Sequence, residues 1–303
     1  MGCGRWQAGL LAAFVLAAGP ALAAGGCTPA ARAAIPLSVE RHSLFVPVTI
    51  NGTPTTFLLD TGAEDTILGT EIAQRLGLAT HHAYSRTMVG FGGTIATGEV
   101  HPDSVAVGSL SLSGFFAPVA EVRLPVLEGQ PADGLLGADV LRDFDLDIDM
   151  VGRRLALYTP VACDDPVLPW GGAAHATPAH VSARRHLVFD VRIAGHVLPA
   201  FIDTGAQASF IDGDAAARLG INAAALRQDP AVTVHGVNSS ADGMRQHRFD
   251  QLEVAGIAWA KPVLVVAPLR LDDADVILGA DFLEAYRVWF AYGAGRLFVS
   301  AQD

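Results

Sequence analysis

Phe57-Leu58-Leu59-Asp60-Thr61-Gly62-Ala63 has a near copy in Phe201-Ile202-Asp203-Thr204-Gly205-Ala206, with the two acids 143 positions apart (203 − 60). Each copy is a short apolar run that delivers a carboxylate, followed at once by a hydroxyl residue and a glycine. The acid therefore sits where a buried strand turns sharply. One such tripeptide is more often a turn than a site. Two in matched surroundings point to a pair of carboxylates.

The surroundings are duplicated as well. Upstream of each acid, Arg41-His42-Ser43-Leu44-Phe45 aligns by letter with Arg185-His186-Leu187-Val188-Phe189. That alignment gives His42 and His186 one shared structural or surface role. Downstream, Leu76-Gly77-Leu78 matches Leu219-Gly220-Ile221, and Asp133-Gly134-Leu135-Leu136-Gly137-Ala138-Asp139 matches Asp275-Val276-Ile277-Leu278-Gly279-Ala280-Asp281. A period of half the chain is far longer than the roughly 20–50 residues of solenoid repeats and specifies two lobes. Asp139 and Asp281 open short helices and read as caps, not catalysts.

A hydrophobic-hydrophobic-Asp-Thr-Gly-Ala loop, a later hydrophobic-hydrophobic-Gly-Ala-Asp segment, and both again: this pattern resembles the retropepsin-like aspartyl proteases. The layout is similar to that of bacterial exported members with both lobes fused in one chain, and it covers about residues 39–303. The resemblance implies an all-β fold of two duplicated acid-protease lobes related by pseudo-two-fold symmetry, with a few short helices. It implies an aspartic endopeptidase whose dyad is Asp60 and Asp203, side by side within about 3 Å and sharing one proton. Thr61 and Thr204 would hydrogen-bond across the axis. Gly62, Ala63, Gly205 and Ala206 complete the acid loops, with the glycines bringing N–H groups near the carboxylates. Substrate-covering flaps would come from Val89, Gly90, Phe91, Gly92 and Gly93 in the first half and His235, Gly236 and Val237 in the second. Only the first has a glycine-rich tip. In the second acid loop Gln207-Ala208-Ser209 replaces Glu64-Asp65-Thr66, so the polar surroundings of Asp65 have no evident counterpart. A reading from another class is a peptide-binding module that retains the cleft without turnover, because fold and function can separate.

Composition is consistent with a globular, mainly β chain: 51% of residues are hydrophobic and 17% charged. β runs are expected at 42–50, 55–60, 100–107, 187–193, 197–203, 249–254 and 261–266. Short helices are expected at 71–76, capped by Thr70, and at 214–219, 140–143 and 282–286. A net charge of −11 argues against nucleic acid or an anionic membrane surface as a partner, and the resemblance implies a polypeptide substrate. No His-Glu-x-x-His or Gly-x-Ser-x-Gly occurs, so no metal, cofactor or serine nucleophile is expected. Fusion of the lobes makes a monomer sufficient.

Residues 1–24 read as a signal peptide, with Arg5, an apolar stretch over 8–18 and Ala21-Leu22-Ala23. Export to the periplasm or the extracellular space follows. Ala24-Gly25-Gly26-Cys27 also resembles a bacterial lipoprotein cleavage site, which would extend the signal to Gly26 and tether the protein through lipidated Cys27. In the other reading Cys27 is a spare thiol in a linker, and its bridge to Cys163 has no support in the sequence. Residues 25–38 are read as an N-terminal linker, 39–159 as the first lobe, 160–184 as an inter-lobe linker rich in Pro, Gly and Ala, and 185–303 as the second lobe.

Overall fold

The computed structural model describes residue 1 and residues 26–81, 87–90, 93–163, 166–236, 240–269 and 271–302, with 87–90 and 93 as backbone alone. The signal segment, Phe91, Gly92 and Val237 lie outside the described residues.

The chain folds as two β lobes built on one plan. In the first, strands Ser43–Ile50 and Thr53–Leu59 form a hairpin across Asn51-Gly52. The second strand pairs in parallel with Gly134–Leu136, which lies between it and Ile67–Gly69. In the second lobe, Leu187–Ile193, His196–Ile202, Val276–Leu278 and Phe210–Asp212 repeat that order. Alternation drives the hairpins: Leu44, Val46, Val48 and Ile50 point into one core and are at most 2% exposed.

The register corrects one alignment. Val46 faces Phe57 in the first hairpin, and Phe189 faces Ala200 in the second. The offset of 143 is thus held through the hairpin, and the counterpart of His186 is Ser43, not His42. Ser43 and His186 are both buried, whereas the His42 side chain is about half exposed and pairs with Glu284.

Both segments read as linkers carry strands. Ala31–Pro36 pairs antiparallel with Arg154–Tyr158, turning Ala33 and Ile35 inward. His175–Val181 pairs with Arg296–Ala301 through its first half and with Leu187–Ile193 through its second. None of its residues is fully buried. It is held by its backbone ladder, so no hydrophobic alternation announces it, and Pro178 is tolerated in so exposed a strand. The six strands Ala31–Pro36, Arg154–Tyr158, Asp145–Asp149, Tyr286–Ala291, Arg296–Ala301 and His175–Val181 form one sheet that joins the lobes. Its central pairing sets Leu146 opposite Phe290 and Ile148 opposite Val288.

On the other face of this sheet Asp147 has no exposure. It accepts two hydrogen bonds from Arg287, Nε to Oδ1 at 2.8 Å and Nη2 to Oδ2 at 2.7 Å, and one from Arg154 at 2.7 Å. Trp170 stacks 4.6 Å from the Arg287 guanidinium.

Cys27 and Cys163 form a disulfide across 136 residues. One sulfur cannot carry both this bridge and a thioether-linked lipid, and Cys27 is no spare thiol here. A Cys163→Ser variant is expected to lose about 2–4 kcal/mol of stability, because the bridge closes a long loop in the unfolded chain. Denaturant unfolding with and without reductant checks this. An unchanged midpoint in both would rule it out.

The helices Thr70–Arg75, Gly213–Arg218, Ala138–Leu141 and Ala280–Leu283 occupy the expected places, and Ala223–Leu226 adds a turn. Thr70 is the first helical residue, not the cap; Gly69 holds that position without a side-chain bond. Among the described residues no helix is long and apolar enough to cross a membrane.

Candidate active site

Asp60 and Asp203 each follow the last residue of a central strand. The Asp60 N–H donates to Leu136 O at 3.0 Å and the Asp203 N–H to Leu278 O at 2.9 Å, so each acid is anchored to the parallel strand beside it. The chain then turns back. Gly62 and Ala63 donate to Asp60 Oδ1 at 3.1 and 2.9 Å, and Gly205 and Ala206 donate to Asp203 Oδ1 at 2.8 and 3.2 Å.

The threonines lock the two loops together. The Thr61 N–H donates to Thr204 Oγ1 at 3.0 Å and the Thr204 N–H to Thr61 Oγ1 at 3.1 Å. The hydroxyls donate onward to Ile202 O and Leu59 O, both at 2.7 Å. Four bonds thus cross between the lobes in a buried layer, each hydroxyl acting as acceptor and donor at once. The glycines are required by the close approach. A methyl on Gly205 would lie 2.6 Å from Cγ of Asp60, and one on Gly62 would run into the Asp203 carboxyl.

The two carboxyls lie close together, each against the glycine of the other's loop. Burial, followed by the charge of Asp203, pushes the Asp60 carboxyl well above the usual carboxylate range. Burial also raises Asp203, but the Gly205 N–H and then the charge of His186 oppose it. Asp60 and Asp203 therefore influence each other's ionisation.

Asp139 and Asp281 do not cap their helices, whose N-caps are Gly137 and Gly279. Asp139 instead accepts from the Thr66 N–H and hydroxyl at 2.8 and 2.7 Å, and Asp281 from those of Ser209 at 3.0 and 2.7 Å. Those hydroxyls accept from the Gly137 and Gly279 N–H groups at 3.0 and 2.9 Å. Each acid loop is therefore clamped from behind by the Gly-Ala-Asp element.

The loops differ in what holds them across the interface. Arg185 donates to Glu64 O at 2.6 Å and Asp65 Oδ1 at 2.8 Å, and Arg184 reaches Glu64 Oε1 at 3.1 Å. On the opposite side Gln207 Nε2 donates to Ser43 Oγ at 2.9 Å. The second loop thus has a neutral counterpart of the first loop's ionic contacts.

In the first lobe, Thr87–Gly90 and Gly93–Ala96 form a separate two-stranded hairpin in which Val89 faces Thr94 and Gly90 faces Gly93. Ile95 packs in one cluster with Phe45 and Leu58, the latter two residues before Asp60. In the second, Ala231–His235 pairs with Ser240–Arg248, placing His235 opposite Ser240, with Gly236 just beyond the strand. That hairpin is continuous with the main sheet through Val263–Ala267. A cavity of about 500 Å³ walled by Phe115, Phe116, Asp143 and Phe144 reaches Asp65 and Arg185 but includes neither Asp60 nor Asp203. Among the described residues no cluster of His, Cys, Asp or Glu could hold a metal ion.

Two lobes, two Asp-Thr-Gly loops and a paired buried carboxyl define an aspartic-protease fold. A family model described as aspartyl protease matches twice, over residues 46–140 and 189–282. The chain belongs to this retropepsin-like aspartyl protease family. The crystal structure of an aspartic proteinase from Irpex lacteus shares the fold, with TM-score 0.55 at 15% identity, covering 90% of this chain and 98% of that one. DNA damage-inducible protein 1 of Neurospora crassa is 32% identical over 118 residues, 38% of this chain and 25% of that protein. UBA domain-containing protein Mud1 of Schizosaccharomyces pombe is 32% identical over 119 residues, 39% of this chain and 33% of that protein. The chain thus matches about a quarter to a third of the length of these relatives.

Proposed function

We propose that the protein is an aspartic endopeptidase that hydrolyses peptide bonds with a water activated between Asp60 and Asp203. The observation that carries this reading is the close approach of a buried and a partly buried carboxyl on loops cross-braced by Thr61 and Thr204. Like-charged acids this close cannot both ionise easily, so one stays protonated while the other is a carboxylate.

The carboxylate takes a proton from water as the water oxygen bonds to the peptide carbon. The protonated acid gives its proton to the carbonyl oxygen, and a neutral gem-diol results. On collapse, the first acid passes its new proton to the amide nitrogen and the C–N bond breaks. The second recovers a proton from a gem-diol hydroxyl, and the pair returns to its starting state with a carboxylic acid and an amine released.

The hairpins over 87–96 and 231–248 are the elements proposed to cover an extended polypeptide. Export to an oxidising compartment is the proposed location, supported by the Cys27–Cys163 bridge.

Incubating the protein with a mixed peptide library between about pH 3 and 8, alongside an Asp203→Asn variant, tests the reading. New peptide ends that vanish in the variant support it. Peptides retained intact by both proteins would turn the assignment to a binding module.

A further inference from the structure

His186 is only 3% exposed and lies at the meeting of the two acid loops, where its counterpart in the first lobe is Ser43. Its ring stacks flat on Phe201, two residues before Asp203, with centroids 4.0 Å apart and planes 12° apart. Nε2 lies 3.1 Å from Gly62 O, and Nδ1 lies 3.0 Å from Asp273 Oδ2. Gly62 is the residue whose Cα abuts the Asp203 carboxyl.

Both partners of the ring limit its protonation. A carbonyl only accepts, so Nε2 carries a hydrogen. An ionised Asp273 only accepts as well, so Nδ1 carries one too and the ring is a cation. A neutral ring would require the proton to sit on Asp273 instead. The other oxygen of Asp273, Oδ1, is buried without a hydrogen-bond partner among the described residues. A half-solvated buried carboxylate of that kind is stable as an anion only beside a cation.

We propose that His186 is a positioning residue that breaks the near-symmetry of the acid pair, making Asp203 the base toward water and Asp60 the proton donor. This rests on the catalytic reading of the dyad above. On the Asp60 side the corresponding position holds neutral Ser43, bonded to neutral Gln207, so no matching charge offsets the histidine. The other charged groups about this corner come from three elements. Arg184 and Arg185 flank His186 on its own segment and are engaged by Glu64 and Asp65 of the first acid loop and by Asp272. Asp273 faces the ring, and Asp60 and Asp203 complete the set. Burial raises both acids of the dyad, and the charge of His186 is among the effects that lower Asp203, which agrees with the division of roles.

The variants that test this are His186→Gln, which keeps a donor for Gly62 O but no charge, and His186→Ser, which copies the residue at the equivalent position of the first lobe. The first readout is the pH profile of kcat/KM on a peptide taken from the library. The acid limb is expected to move up by about half a pH unit or more in either variant, with KM nearly unchanged. The second readout needs no turnover: ¹³C NMR titration of the aspartate carboxyls, assigned with Asp60→Asn and Asp203→Asn. Asp203 is expected to ionise before Asp60 in the native protein, and the order is expected to collapse or reverse in the variants. Superimposable limbs at reduced activity would leave His186 a packing residue and overturn the proposal, as would an unchanged order of ionisation. If the native chain cleaves nothing, the catalytic reading falls, while the titration still decides what His186 does to Asp203. If His186→Gln does not fold, His186→Ser carries both measurements.

Discussion

The substitution Asp60→Asn is expected to reduce peptide cleavage by about a thousandfold or more while making the protein more stable at neutral pH. The first effect follows from removing the only proton that can reach the carbonyl oxygen in the proposed cycle. The second follows from linkage. Burial and the neighbouring Asp203 raise the folded-state pKa of Asp60 above its unfolded value. Between those two values the folded chain holds more protons than the unfolded chain, so stability falls as pH rises through the window and the loss is complete above the folded value. Below the unfolded value, about 4, the penalty is absent. The amide side chain of the variant resembles the protonated acid at every pH and escapes the penalty. Melting temperatures of the native and Asp60→Asn proteins should therefore converge near about pH 3 and separate toward about pH 7, with the variant higher. A variant that is inactive and also less stable at neutral pH would mean that the substitution had broken the loop, and loss of activity alone would then say little about the acid.

The second large effect is expected far from the acids. Asp147→Asn should destabilise the protein by about 3–5 kcal/mol, because it leaves the Arg287 guanidinium, buried against Trp170, with only the longer 3.4 Å contact to Asp149 in place of its two short charged hydrogen bonds. Arg287 is only 17% exposed, whereas Arg154, the other partner of Asp147, is 38% exposed and can turn to water. Arg154→Ala should therefore cost far less. Arg75→Ala, which removes a 58%-exposed partner of Asp133, should cost about 1 kcal/mol or less. Replacing both members of the buried pair, Asp147→Leu with Arg287→Met, should recover much of the loss. Urea unfolding of this set provides the check, and a loss under about 1 kcal/mol for Asp147→Asn would refute the account.

What can be read in the sequence follows distance along the chain. The acid loops, the Gly-Ala-Asp elements and the hairpin turns are legible because each is a local pattern with a local cause, then repeated. The crossing of Thr61 and Thr204 is reachable once two copies imply two facing loops. Asp139 and Asp281 read as caps because a carboxylate at a helix start has a local partner by default. Their actual partners lie 73 and 72 residues away. Asp147 and Arg287, 140 residues apart, have no local signal. Strand 175–181 is hidden because backbone pairing, not an apolar stripe, holds it, and the inward stripe of 31–36 is only two residues long, Ala33 and Ile35. His186 aligns with His42 because identical letters attract an alignment, whereas the strand register places it opposite Ser43 in the duplicated plan.

That last pairing has a consequence for how such a molecule can change. In an assembly of two identical subunits every substitution appears on both sides of the axis, so a buried charge beside one acid would have to be placed beside the other as well, and the two carboxyls would remain equivalent. With both lobes encoded in one chain, position 43 and position 186 are separate letters. One can be a serine and the other a histidine, and the covalent link between halves becomes the source of a chemical difference that no symmetric pair could hold.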